Sequence, residues 1–144
     1  MRLNKGMFTS SSNEYSTPQK LFDELNKVYN FTLDPCATKE NAKCKVFYTK
    51  EDDGLSKEWY GRVFMNPPYG RIIGLWIKKA YDEVIKGNVE IVVCLLPART
   101  DTRWFQDYCL KSKDITWIRG RVKFNGNPAP FPSCIVIFKK DMLK

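Results

Sequence analysis

The 144-residue chain contains no histidine. That absence removes His-liganded zinc, the Ser/His and Cys/His nucleophile pairs, and any imidazole base titrating near neutral pH. The five cysteines, Cys36, Cys44, Cys94, Cys109 and Cys134, are odd in number and contain no C-x-x-C pair. Neither a zinc knuckle nor a paired disulfide framework is suggested, and reduced intracellular thiols are expected. Long apolar runs are missing as well. The longest, Ile91 to Ala98, has Pro97 inside it and is far short of a membrane span, and the first residues, MRLNKGMFTSSSNEYS, hold no apolar signal region. Acid is scarce: 16 Asp+Glu stand against 24 Lys+Arg, a formal net charge of +8. Such a surplus favours an anionic partner, most often nucleic acid, without identifying one. The expectation is a soluble, cytoplasmic protein using neither membrane nor metal.

What is present suits a folded domain. Hydrophobic residues make up 43% and charged ones 28%, close to the globular average, and this length suits one domain with one sizeable core. Residues 1–14 are polar, Ser-rich and aperiodic, and are expected to form a flexible lead-in to a single domain over 15–144. Thr17-Pro18 predicts a helix over about 18–29, with Thr as N-cap and Pro at the first helical position, since Leu21, Phe22, Leu25, Val28 and Tyr29 recur at helical spacing.

Beyond it the chain alternates. Phe31 to Leu33 reads as a short strand ended by Asp34-Pro35, Lys45–Tyr48 as a further strand, Asp53-Gly54 as a turn and Arg62–Met65 as a buried strand. Ile73, Trp76, Ile77, Ala80, Val84 and Ile85 predict an amphipathic helix closed by Gly87. Val89–Leu96 is apolar on both faces, as in a central strand covered by helices. A helix near 101–111, a strand near Ile115–Arg119, a turn-rich stretch and a last strand Cys134–Phe138 follow. Alternating strands and helices predict a three-layer α/β sheet. Ligands of such sheets bind at the strands' C-terminal ends, where Asp34, Asn66 and Pro97 fall.

Asn66-Pro67-Pro68-Tyr69 is the most informative tetrapeptide. The prolines fix φ and remove two N–H groups, so the loop presents acceptors. The Asn66 carboxamide oxygen and the Pro67 carbonyl can each accept one hydrogen of a planar amino group, and the Tyr69 ring offers a stacking face. The amino nitrogen of adenine is a poor nucleophile because its lone pair is delocalised into the ring. Two acceptors that draw its hydrogens out of plane return electron density to nitrogen and stabilise the transition state more than the ground state. On the residues alone this segment also fits a plain strand-to-helix turn, Thr17-Pro18 a helix cap, and Asp34 and Asp53 turn residues.

Phe64-Met-Asn-Pro-Pro-Tyr69 resembles the [DNS]-P-P-[YFW] motif of class I S-adenosylmethionine-dependent amino methyltransferases. Ser16-Thr-Pro-Gln19, Leu33-Asp-Pro-Cys-Ala37, Asp52-Asp-Gly-Leu55, Asn-Pro-Pro-Tyr, Leu95-Leu-Pro-Ala-Arg-Thr-Asp-Thr-Arg-Trp-Phe105 and Arg119-Gly-Arg-Val-Lys-Phe124 are together similar to the successive blocks of phage-type DNA N-6-adenine methyltransferases. The resemblance runs over about residues 15–138. It implies a minimal Rossmann-like class I sheet, mostly parallel with an antiparallel C-terminal strand, and a phage-infected or bacterial host cell. It further implies methyl transfer from S-adenosylmethionine to the N6 of an adenine flipped out of double-stranded DNA.

In that resemblance Asn66, Pro67, Pro68 and Tyr69 bind and activate the base. Tyr15, Thr17, Pro18, Asp34, Pro35, Cys36, Ala37, Asp53 and Asn66 hold the cofactor. The stretch after Asp34 departs from the family's D-x-F-x-G-x-G, since Cys36-Ala-Thr-Lys-Glu-Asn41 has no glycine. Arg99, Arg103, Trp104, Arg119, Arg121 and Lys123, where basic and aromatic residues interleave, are expected to face DNA, because base extraction calls for phosphate contacts and an aromatic filler. A solvated basic surface is the other reading of those charges. Two rivals share the motif or the charge: an amino methyltransferase acting on RNA or on a protein glutamine, and a non-enzymatic nucleic-acid-binding module. The oligomeric state is left open.

Overall fold

The computed structural model describes residues 15–144; the lead-in expected over 1–14 lies outside the described residues. Helix α1 spans Gln19–Tyr29 and is followed by β1 (Leu33–Asp34), β2 (Val46–Phe47), β3 (Gly61–Met65), helix α2 (Ile73–Lys86) and β4 (Val89–Pro97). Helix α3 (Arg103–Asp107), β5 (Ile115–Trp117), β6 (Lys123–Phe124), β7 (Asn127–Pro128) and β8 (Ser133–Phe138) complete the order. Six strands form one sheet in the order β2-β1-β3-β4-β8-β5. The β2-β1-β3-β4 ladders are parallel, and β8 runs antiparallel to both β4 and β5. One reversed strand in an otherwise co-directional sheet is the expected Rossmann-like arrangement. It brings the C-terminal ends of β1, β2, β3, β4 and β5 to one edge.

Burial explains the layers. On β4, Val92, Cys94 and Leu96 pack under α2 and α3 with Ile77, Ala80, Val84 and Phe105, while Ile91, Val93 and Leu95 face Phe22 of α1 and the β6–β7 hairpin. Both faces of this strand are covered, as its unbroken apolar run requires. Trp59 is fully buried against α2; its ring N–H donates to the Gly54 carbonyl and its backbone N–H to Glu83.

Several boundaries differ from the sequence expectation. Pro18 is extended (φ −57°, ψ 133°), so α1 begins at Gln19 and no side chain caps it; Thr17 is turned elsewhere. The helix expected near 101–111 is a five-residue α3, capped by the Thr102 hydroxyl, with a separate 3₁₀ turn at Cys109–Lys111. The strand expected to reach Arg119 stops at Trp117, β4 runs on to Pro97, and the turn-rich stretch contains the β6–β7 hairpin. Apart from α1 and β4, these pieces are two to five residues long, too short for periodicity to mark. At the far end of α2, Gly87 adopts φ 95° and closes the helix as expected. Among the described residues no helix is long and apolar enough to cross a membrane.

Candidate active site

The site lies at the sheet edge where the parallel strands end. β1 delivers Asp34, which is 5% exposed. Its two carboxylate oxygens accept the backbone N–H groups of Cys36 (3.3 Å) and Lys43 (3.1 Å). Burial is the dominant influence and raises its pKa to about 6, although both N–H bonds and the Lys43 charge act in the opposite direction. The glycine-free stretch after it is shaped by side chains. Thr38 N–H donates to Asn41 Oδ1 (2.7 Å), Asn41 N–H returns a bond to Thr38 Oγ1 (3.1 Å), and Asn41 Nδ2 reaches Ser16 Oγ (3.2 Å).

A cavity of about 670 Å³ opens over this loop. Of the residues expected to hold a cofactor, Tyr15, Thr17, Asp34, Pro35, Cys36, Ala37, Asp53 and Asn66 line it, and Pro18 does not. Glu40 and Glu51 also line it, and Trp76, Ile72 and Leu55 supply apolar wall. The turn at its rim divides two adjacent acids. Asp52 accepts from the Thr49 N–H and hydroxyl and shapes the turn, whereas Asp53, with φ 56°, lines the cavity. Gly54 is required by close approach, because a Cβ there would stand 2.6 Å from the Pro35 carbonyl oxygen and 3.0 Å from the Trp76 ring.

β3 delivers Asn66 to the boundary between this cavity and an aromatic cluster. Asn66 Nδ2 donates to the Tyr15 carbonyl (2.6 Å) and to Thr17 Oγ1 (3.0 Å), and Oδ1 accepts from the Tyr69 hydroxyl (3.2 Å). A backbone carbonyl can only accept, so the end of the amide facing Tyr15 must be the NH₂. The carboxamide oxygen is thereby fixed, and it keeps a lone pair beyond the Tyr69 bond. Burial raises the Tyr69 phenol, with the neighbouring Tyr15 adding to the effect, so the hydroxyl remains a donor.

The Tyr15 ring stands 5.1 Å from Tyr69 and 5.1 Å from Phe124, and Phe131 is edge-on to both tyrosines (5.5 Å and 5.3 Å). The Tyr15 ring thus touches both Tyr69 and Phe124. The residues expected to face DNA are not equivalent. Arg99, Arg103, Arg119, Arg121 and Lys123 are exposed, whereas Trp104 is half-buried against Gly74 of α2. Arg99 lies over the Phe131 ring (5.7 Å) and Arg121 donates to the Ala129 carbonyl (3.3 Å).

Asn41, Lys43 and Ser16 are outside the expected cofactor set, because they shape the loop through contacts across 3 to 25 residues. Thr17 is recast from helix cap to holder of Asn66. All five cysteines are free. Burial pushes the Cys36 and Cys94 thiols well up and Cys44 and Cys134 to about 12, so none is poised as a nucleophile. Among the described residues no cluster of acids and thiols is gathered that could hold a metal.

A family model described as DNA N-6-adenine-methyltransferase (Dam) matches residues 7–136. The chain is 35% identical over 108 residues to the DNA N-6-adenine-methyltransferase of Escherichia phage T1, which covers 72% of this chain and 44% of that protein. It is 33% identical over 123 residues to the protein of the same name from Haemophilus phage HP1 (strain HP1c1), covering 82% and 69%. A putative methyltransferase YfdM of Escherichia coli (strain K12) is 36% identical over 64 residues, covering 39% and 70%. The chain thus spans less than half the length of the first relative and about two thirds of the second.

Proposed function

The chain belongs to the DNA N-6-adenine-methyltransferase (Dam) family, and on that premise we propose that it transfers a methyl group from S-adenosylmethionine to the N6 of an adenine drawn out of duplex DNA. The observation that carries this reading is Asn66, its carboxamide oxygen fixed at the junction of the large cavity and the Tyr69 ring. The cavity fits such a cofactor in size, since ligand sites run to roughly 300–1,000 Å³. It fits in chemistry too: a buried carboxylate suits a cationic methyl donor, and the Trp76, Ile72 and Leu55 wall suits its adenine ring.

Asp34, Cys36 and Ala37 on the loop after β1, Thr17 and Tyr15 on the approach to α1, and Asp53 at the rim would hold it. When bound, S-adenosylmethionine supplies a methyl carbon made electrophilic by its sulfonium. Asn66 Oδ1 and the Pro67 carbonyl would each accept one N6 hydrogen of the adenine and concentrate its lone pair on nitrogen. Tyr69 supports the ring by stacking and pins Oδ1 through its hydroxyl. Asn66 Oδ1 and the Pro67 carbonyl would also receive the N6 proton that methylation makes acidic and pass it to water. Thr17 and the Tyr15 carbonyl keep the amide from turning. Residues 15–144 act as one unit in this scheme, in the cytoplasm of a bacterial or phage-infected cell.

The test is incubation with radiolabelled S-adenosylmethionine and, separately, unmethylated duplex DNA, RNA and a protein extract. N6-methyladenine in DNA is expected, and Asn66→Ala is expected to lower kcat by about 10²–10³. Label confined to RNA or protein overturns the substrate. Full turnover of Asn66→Ala overturns the mechanism.

A further inference from the structure

A second cavity, of about 420 Å³, lies beside the first, and the Tyr69 ring is one of its walls. Arg71, Arg99, Thr102 and Trp104 close it. The two charged groups on its lining are both guanidiniums, and no carboxylate lines it. Among the described residues neither Arg71 nor Arg99 belongs to an ion pair. Arg99 is steadied over the Phe131 ring, which in turn meets Tyr69 edge-on at 5.3 Å. A guanidinium stacked this way keeps its fork of N–H donors free for an anion.

We infer that this cavity seats the phosphodiester adjoining the target nucleotide, gripped by Arg71 and Arg99. The inference rests on the DNA-adenine reading above and goes beyond it by naming a phosphate site and a residue, Arg71, outside the basic set picked out in the sequence. The covalent logic is short. A base stacked on Tyr69 is joined to its phosphates through a single deoxyribose, so a phosphate must lie within one sugar of that ring. The cavity sharing the Tyr69 wall is positive and carries no acid. Arg71 also follows Asn66 by only five residues across two prolines. One stiff loop therefore anchors the backbone and presents the acceptor to the base, which fixes the amino group relative to Asn66. Arg71 is a positioning residue here.

The test uses the full chain, unmethylated genomic duplex DNA and labelled S-adenosylmethionine, with Arg71→Ala, Arg71→Lys and Arg71→Ala/Arg99→Ala. Arg71→Ala is expected to raise KM for DNA about tenfold and to flatten the plot of log affinity against log salt by about one, the loss of one phosphate contact. Arg71→Lys should restore the salt slope but only part of KM, because an ammonium lacks the fork. The double variant should lose less than the product of the single losses, since both side chains hold one group. Donor binding in the larger cavity reports folding of each variant. Wild-type KM and slope in Arg71→Ala overturn the inference, as does an Arg71→Lys slope equal to that of Arg71→Ala. Absence of DNA labelling by the unmodified protein overturns instead the functional reading on which it rests.

Discussion

Asn66 and Asp34 are both polar groups held by the backbone at the end of a strand, yet the consequences differ. Asn66 has its NH₂ saturated by Tyr15 and Thr17, and its oxygen is left to act. Asp34 has both oxygens tied to N–H groups and is nevertheless raised to about 6 by burial. A carboxyl raised in the fold binds its proton more tightly there than in the unfolded chain, so unfolding between about pH 4 and 6 releases a proton. Stability of the free protein should therefore fall as pH rises through that window, by about 2–3 kcal/mol in all. Affinity for the cationic donor should move the opposite way, strengthening as Asp34 ionises. Calorimetric titration from pH 5 to 8 should give weaker binding below 6, and Asp34→Asn should be weak and flat across the range. An unchanged pH profile in that variant would remove Asp34 from the donor site.

Helix α2 links the site to the rest of the fold. Its N-terminal turn follows Gly70, its buried face lies on β3 and β4, and Glu83 in its last turns is 2% exposed. Burial alone would raise that carboxyl. The Trp59 N–H together with Lys86 and Lys79 more than offsets it, and the pKa lies below the usual carboxylate range. Glu83→Ala should cost about 2–3 kcal/mol in urea unfolding, because the Trp59 N–H and the lysines lose their acceptor. A depressed carboxyl stabilises above its ordinary titration range and ceases to as pH falls through its folded value. The gap between wild type and variant should thus narrow as the pH is lowered through the acid range, and a gap that widens in acid would contradict the assignment. Helical spacing placed this element; it gave no sign that one acid on its buried side clamps Trp59.

Across the whole molecule, one reversed strand in a parallel sheet collects the basic loops on the edge that holds the cavities. Arg99 follows β4, Arg103 opens α3, and Arg119 follows β5, which runs in the same direction as β4. Reversing both Arg99 and Arg103 to Glu should reduce DNA affinity and make its salt dependence shallower by about two contacts, while donor binding stays at the wild-type level. A salt slope equal to that of the unmodified protein would return these arginines to ordinary solvated surface.

The sequence by itself determined the alternation of strands and helices, the both-sided burial of Val89–Leu96, the C-cap at Gly87 and the pointed chemistry of Asn66-Pro67-Pro68-Tyr69. Each is encoded within a few residues, by hydrophobic period, by a missing N–H or by a positive φ. Only the tertiary structure decided that Thr17 serves Asn66 49 positions away, that Asp52 makes the turn while Asp53 faces the cavity, and that the Tyr15 ring meets both Tyr69 and Phe124. It also decided that Arg71 and Arg99, on separate loops, share a wall with Tyr69. Such pairings depend on which strand ends the sheet brings together, and no local pattern in the chain carries that information.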